Sequence, residues 1–161
     1  MIPKVIYQTW KTKNIPYISK KNIKKMKKLN PDYEFKLYDD NDILDFIKDE
    51  YDERTLKAYK KLTIGAAKAD FFRYLILYKK GGIYLDLDSE ITKNLDDLIK
   101  DREAVISREG TRSYFCQWLM IFCKGHPILK KIIDITIDNV LKNYKKLDTC
   151  LLTGPWGPYT E

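Results

Sequence analysis

The chain is poor in the residues that build imidazole, zinc and disulfide chemistry. One histidine, His126, and three cysteines, Cys116, Cys123 and Cys150, stand among 161 residues. A single imidazole excludes a multi-histidine metal site and disfavours a Ser-His-Asp arrangement. The cysteines are odd in number and lack CxxC spacing, which excludes a zinc ribbon and a disulfide framework and leaves buried free thiols. Glycine (7) and proline (6) are sparse, and no Gly/Ser linker or internal repeat divides the chain. Residues 1–161 therefore read as one domain. No apolar run approaches the roughly 20 residues of a membrane span. Met1-Ile2-Pro3-Lys4-Val5-Ile6-Tyr7 has no signal-peptide core, so a cytoplasmic protein is the expectation.

What is present is a core and a great deal of charge. Hydrophobic residues make up 44% of the chain and charged residues 33%, which excludes wholesale disorder. The net charge is +7, and the surplus sits in residues 1–80, with 19 basic against 11 acidic side chains; residues 81–161 hold 11 against 12. Such a basic half invites a polyanion reading. No RNP, helix-turn-helix or zinc-finger signature accompanies it, so no nucleic-acid partner is expected. The surplus is concentrated in Lys20, Lys21, Lys24, Lys25, Lys27 and Lys28, a helical stretch without one acid. Two readings stand: the solvated face of an amphipathic helix, or weak membrane-surface association through Lys20–Lys28.

The order of elements follows from periodicity and punctuation. Lys4–Tyr7 reads as a first strand running toward Thr9-Trp10. Ser19 is placed to cap a helix carrying Ile23, Met26 and Leu29, stopped by Asn30-Pro31-Asp32. Tyr33–Tyr38 alternates as a second strand. Asp39-Asp40-Asn41 opens a helix, and Asp52–Leu62 forms another. Thr63–Lys79 is apolar on several faces and reads as a buried central helix, closed by Gly81-Gly82 as a left-handed cap. Ile83–Leu85 is a short apolar strand leading into Asp86 and Asp88. Asp96–Lys100 is a helical turn, Ala104–Ser107 and Leu119–Cys123 are strands, and Pro127–Asn143 is a helix with Ile128 among its inward residues. The tail from Leu151 to Pro158 reads as loop. Strands alternating with helices predict an α/β domain with a mostly parallel sheet.

Asp86-Leu87-Asp88 is the segment best suited to chemistry. In an extended chain, residues two apart share a face, so both carboxylates would face one side at the end of a buried strand, where α/β sheets bind ligands. Two such carboxylates suit Mg²⁺ or Mn²⁺, with phosphate oxygens and waters completing the shell. Solvated turn acids would give the same three letters. Asp70 and Arg73 share one face of the otherwise apolar central helix, and charge is buried there only if it is paired or used. An EF-hand is excluded, because Ile91 stands where its loop needs glycine. The segment partly resembles a haloacid-dehalogenase-type phosphotransferase with Asp86 as nucleophile, but Glu90 departs from that motif. A glycosidase needs carboxylates on both sides of a bond, which one strand does not supply.

The run from Ala69-Asp70-Phe71-Phe72-Arg73-Tyr74 through Gly81-Gly82-Ile83-Tyr84-Leu85-Asp86-Leu87-Asp88 closely resembles glycosyltransferase family 32, the group with a DXD-containing sugar-binding region. Ile2-Pro3-Lys4-Val5-Ile6-Tyr7-Gln8-Thr9-Trp10, Asn30-Pro31-Asp32-Tyr33-Glu34 and Tyr38-Asp39-Asp40 are similar as well, with weaker matches at His126-Pro127 and Thr153-Gly154-Pro155. Tyr7 stands where many members carry histidine, and members usually continue beyond the position of Glu161. The resemblance implies a GT-A fold over residues 1–161, short at its C-terminus. It implies a metal-dependent, retaining transferase that moves a hexose from a UDP- or GDP-sugar donor to a glycan or other hydroxyl acceptor. By the same resemblance Asp88 is a direct ligand of Mn²⁺ or Mg²⁺, and Asp86 touches the ribose or sugar and reaches the metal. Asp70 and Arg73 bind the donor sugar, Tyr84 lines the nucleotide side, and Trp10 stacks the base. A binding-only relative and the D-x-D phosphotransferase remain as alternatives.

Overall fold

The computed structural model describes residues 1–108, 115–143, 149–154 and 157–158. Five strands, β1 Val5–Thr9, β2 Glu34–Tyr38, β3 Gly82–Leu85, β4 Ala104–Arg108 and β5 Phe115–Phe122, form one sheet in the order β2-β1-β3-β5-β4. β1 pairs in parallel with β2 and β3, whereas β5 pairs antiparallel with both β3 and β4. Four strands therefore point one way and β5 alone is reversed among the described strands, giving the mostly parallel α/β sheet that the strand–helix alternation predicts. Around it stand α1 Tyr17–Leu29, α2 Asp40–Glu50, α3 Glu53–Lys61, α4 Gly65–Lys80, α5 Leu95–Ile99, α6 Pro127–Asn143 and α7 Thr149–Leu152.

The strand alternation sorts the core into two layers. Ile6, Ile83, Leu85 and Ile121 face one side, with Met26 of α1 and Leu95 and Ile99 of α5. Tyr7, Tyr84, Met120 and Phe122 face the other, with the apolar sides of α2, α3, α4 and α6. Helix α4 is buried without a break from Asp70 to Leu77, which is why its sequence carries no one-sided stripe. The chain leaves β1 through α1 to reach β2 on one side. It then returns through α2, α3 and α4, on the opposite face, to β3 on the other side. This reversal opens a crevice outside the C-terminal ends of β1 and β3.

Several local expectations are corrected. Helix α1 begins at Tyr17 with Pro16 as its N-cap residue and no side-chain cap, and Ser19 lies buried in its first turn. Asp39, by contrast, closes a reciprocal capping box with Asp42. Gly81 has φ 68° and ψ −177°, so it terminates α4 in an extended, positive-φ conformation rather than the left-handed helical one. β5 begins at Phe115, four residues before Leu119. Leu151 and Leu152 belong to α7, not to a loop. Ile128 is exposed, facing away from the core in which its neighbour Leu129 is buried. Cys116 is buried and Cys123 half-buried, both as free thiols. Pro155 and Trp156 lie outside the described residues.

Candidate functional site

A cavity of about 610 Å³ opens in the crevice between β1 and β3. Thr9, Trp10 and Lys11 carry the end of β1 into its wall, and Tyr84, Asp86, Leu87 and Asp88 carry the end of β3. Residues of α1, the first turn of α2 and the first turns of α4 complete it. Trp10 stands at the rim, about one-third exposed, and its N–H donates to the Tyr38 carbonyl at 3.1 Å, extending the β1–β2 ladder.

The acidic pair reaches the cleft by a turn, not by strand alternation. β3 ends at Leu85. The Asp86 N–H donates to the Trp118 carbonyl of β5 at 2.9 Å, and the Ser89 N–H donates back to the Asp86 carbonyl at 3.0 Å. This closes a four-residue turn over Asp86–Ser89. Leu87 is buried, Asp86 half-buried and Asp88 exposed, and both carboxylate residues line the cavity. Both acids reach the same cavity, as Leu87 between them does, through a turn rather than the extended chain that the spacing suggested.

Beneath Asp86 lies a buried ion network. The Arg73 Nη2 donor is 3.1 Å from Asp70 Oδ1 and 3.2 Å from Asp86 Oδ1. Its guanidinium stacks 4.7 Å above the Tyr84 ring. Thr153 Oγ1 donates to Asp70 Oδ2 at 3.1 Å, and the Thr153 carbonyl accepts from the Tyr74 hydroxyl at 2.7 Å. Gln117 in turn donates to that hydroxyl. Burial pushes the Asp70 carboxyl up against the opposing pull of Arg73 and Thr153, with the Asp86 charge adding to the rise. Burial disfavours the Arg73 cation, but Tyr84, Asp70 and Asp86 outweigh it and hold the guanidinium charged. Burial raises the Tyr84 phenol, so it stays protonated. Its hydroxyl has no hydrogen-bond partner among the described residues, although the side chain lines the cleft.

The structure therefore places Trp10, Tyr84, Asp86 and Asp88 on one cleft wall. Asp70 and Arg73 stand behind that wall rather than lining it, only 8% and 5% exposed. Arg73 reaches the cleft wall through Asp86 and the Tyr84 ring, and Asp70 acts behind it. The sequence reading missed Asp40, Lys11 and Lys68, all of which line the cavity. Asp40 follows the end of β2, so the strand-end rule that marked Asp86 would have found it. Lys11 follows β1 in the same way. Lys68 gave no signal, being one more lysine at a helix start.

As a metal site the pair is sparse. Among the described residues no group of three or more His, Cys, Asp or Glu gathers, so two carboxylates are the whole acidic contribution near the turn. One Asp86 oxygen is tied to Arg73, and Asp88 makes no side-chain hydrogen bond or ion pair among the described residues. An all-oxygen donor set of this kind suits Mg²⁺ or Mn²⁺, which keep waters and phosphate oxygens in the shell. His126 is not part of it: its Nδ1 accepts from the Ile128 N–H at 3.3 Å, and its ring packs 5.0 Å from Phe122.

Residues 16–105 match the family described as glycosyltransferase sugar-binding region containing DXD motif. The chain is similar to inositol phosphoceramide mannosyltransferase 3 of Schizosaccharomyces pombe, 40% identical over 132 residues, which are 82% of this chain and 36% of that protein. It is similar to the initiation-specific alpha-1,6-mannosyltransferase of Candida albicans, 31% identical over 172 residues, covering 89% of this chain and 45% of that one. The chain thus spans less than half the length of these relatives. Among solved structures the PaToxG glycosyltransferase superposes with a TM-score of 0.76 at 24% identity, over 96% of this chain and 66% of that one, a likeness of fold. With the α/β sheet of a GT-A fold and the Asp86-Leu87-Asp88 turn at its strand ends, the chain belongs to the DXD-containing glycosyltransferase sugar-binding family.

Proposed function

We propose that this chain binds a nucleotide-sugar in the β1–β3 cleft and transfers its hexose, with retention, to a hydroxyl of a glycan or other acceptor. The observation that carries the reading is the convergence of Asp86, Asp88, Trp10 and Tyr84 on one cavity at the switch point of the sheet. Relatives named as mannosyltransferases support mannose as the sugar, and the name of the fission-yeast one supports inositol phosphoceramide as a candidate acceptor. The donor nucleotide is a UDP or GDP unit.

Each wall residue then has a task. Trp10 offers a flat indole face at the rim for the base. Tyr84, its phenol kept protonated by burial, backs the same wall beside Asp86 and Arg73. Asp86, clamped from below by Arg73, and Asp88 hold Mn²⁺ or Mg²⁺. Held by these two carboxylates, a divalent cation would supply positive charge to the leaving diphosphate. Lys11 and Lys68 add positive charge to the same wall. Asp70 acts through Arg73 to keep Asp86 in place. Transfer depends on positioning the acceptor hydroxyl beside the anomeric carbon, and no carboxylate of the chain is assigned as nucleophile.

Thermal unfolding with UDP- and GDP-sugars, with and without Mn²⁺, tests the reading. A donor at about a hundred times its dissociation constant adds about 2.7 kcal/mol of stability. Asp88→Ala is expected to keep the unliganded midpoint and lose the metal-dependent shift. The absence of any metal-dependent shift in the wild type would overturn the proposal, and phosphate trapped on Asp86 would replace it with a phosphotransferase. Binding without transfer or donor hydrolysis would reduce it to a binding domain.

A further inference from the structure

The transfer chemistry leaves one feature of the surface unused. Lys20, Lys21, Lys24, Lys25, Lys27 and Lys28 all stand exposed on α1. Helical spacing aligns Tyr17, Lys21, Lys24 and Lys28 on one line, opposite the side on which Ser19 and Met26 are buried. Among the described residues only Lys25 of these makes an ion pair, with Glu90 at 3.3 Å, and Lys27 lies 5.5 Å from the Phe35 ring. The helix contains no acid to balance the row.

The same helix carries exposed apolar side chains where it meets the cleft. Tyr17 is 81% exposed and Ile18 61%, and Ile18 lines the cavity. Across the cavity Ile64, 53% exposed, precedes the lining residue Gly65, and Trp10 stands on the rim. Of the ten large hydrophobic side chains exposed among the described residues, Trp10 and Ile18 line the cavity, and Tyr17 and Ile64 each adjoin a lining residue in the chain. A basic helix with an apolar, aromatic-containing edge is the arrangement that lies in the plane of a charged lipid interface. A nucleic acid would use the lysines but would leave Tyr17, Ile18 and Ile64 without a partner.

We infer that α1 docks on an anionic lipid surface, with Tyr17, Ile18 and Ile64 entering the headgroup layer and the cleft mouth opening toward it. The docking does not require sugar transfer. Only its corollary, that the acceptor hydroxyl is carried by a lipid, rests on the function proposed above.

Vesicle flotation tests the docking without donor, metal or turnover, so its failure and the failure of the transfer reading are separable. The wild-type chain is expected to float with vesicles of phosphatidylcholine containing about 30% phosphatidylserine, and not with phosphatidylcholine alone. Raising salt toward 1 M, where the screening length is about 3 Å, is expected to release it. Lys21→Glu/Lys24→Glu is expected to weaken partitioning at least about tenfold. Lys57→Glu/Lys60→Glu, an equal charge change on α3 across the sheet, is expected to leave it unchanged. Tyr17→Ser is expected to weaken it without altering its salt dependence. Equal partitioning to neutral and anionic vesicles, equal loss in both charge-reversed variants, or binding of duplex DNA in place of vesicles would each overturn the inference. A circular dichroism spectrum for each variant separates loss of docking from loss of fold. The salt series on the wild type stands independently of any variant.

Discussion

Arg73 holds Asp70, Asp86 and the Tyr84 ring at once from a buried position. Truncating one partner of a buried ion pair leaves the other charge uncompensated, at a cost of about 3–5 kcal/mol. Arg73→Ala is therefore expected to lower stability by that amount in urea unfolding. Asp70→Asn/Arg73→Met is expected to lose clearly less than the two single variants summed, since it removes both charges together. Strict additivity would show that the two residues act independently. Half of this network was legible, because Asp70 and Arg73 are three apart on a helix. The other half was not: Asp86 lies 13 residues from Arg73, and Thr153 lies 83 from Asp70. Contacts at that separation exist only once the sheet has formed.

At the scale of elements, the passage from α4 into β3 decides where the acids stand. Gly82 has φ +108°, and a Cβ there would meet the Val5 carbonyl oxygen at 2.8 Å and the Tyr7 ring at 3.2 Å. Neither neighbour gives way easily, since Val5 and Tyr7 belong to β1. Gly82→Ala is expected to cost about 1–3 kcal/mol through strain at a glycine-favouring φ plus the clash. Gly65→Ala, at the first residue of α4 with no atom within 4 Å, is expected to be neutral or stabilising by up to about 1 kcal/mol. Equal losses at the two positions in denaturant unfolding would refute the steric account. The Gly81-Gly82 punctuation was plain in the sequence. The conformation of Gly81 was not, because the same dipeptide serves several positive-φ geometries and here Gly81 packs against Pro3 and the Lys124 backbone, far away in the sequence.

For the whole molecule, several surface carboxylates tie distant segments together. The Asp96 carboxyl is held low by hydrogen bonds from Lys4 and Tyr33, with the Lys4 charge adding to the effect. Lys142, one turn along α6, and Arg54 of α3 lower Asp138, and the Thr55 hydroxyl and N–H lower Asp52 at the start of α3. A carboxyl lowered below its ordinary value of 3.8 contributes stability that is present above 3.8 and lost as pH falls through its folded-state value. Asp70 is raised and works in the opposite direction, losing stability as pH climbs through its folded-state value. The depressed groups outnumber it. The thermal midpoint is therefore expected to hold from about pH 7 to 5 and to drop below about pH 4. A midpoint that rises steadily on acidification to about pH 3 would mean that Asp70 dominates.

By itself the sequence determined the helix–strand alternation, the buried character of α4, the strand end at Leu85 and the acids beyond it. These are local matters, set by side-chain periodicity, capping and glycine. The reversal of β5 was decided by tertiary structure, since a strand's direction depends on the partner it meets. So was the turn that aims Asp86 and Asp88 together, because its anchoring bond comes from the Trp118 carbonyl on β5. Tertiary structure also divided the acids into those that face the cleft and Asp70, which stands behind it. It assigned the lysine row its place as well: six charges visible from composition become a docking face only where α1 meets the exposed apolar rim of the cavity.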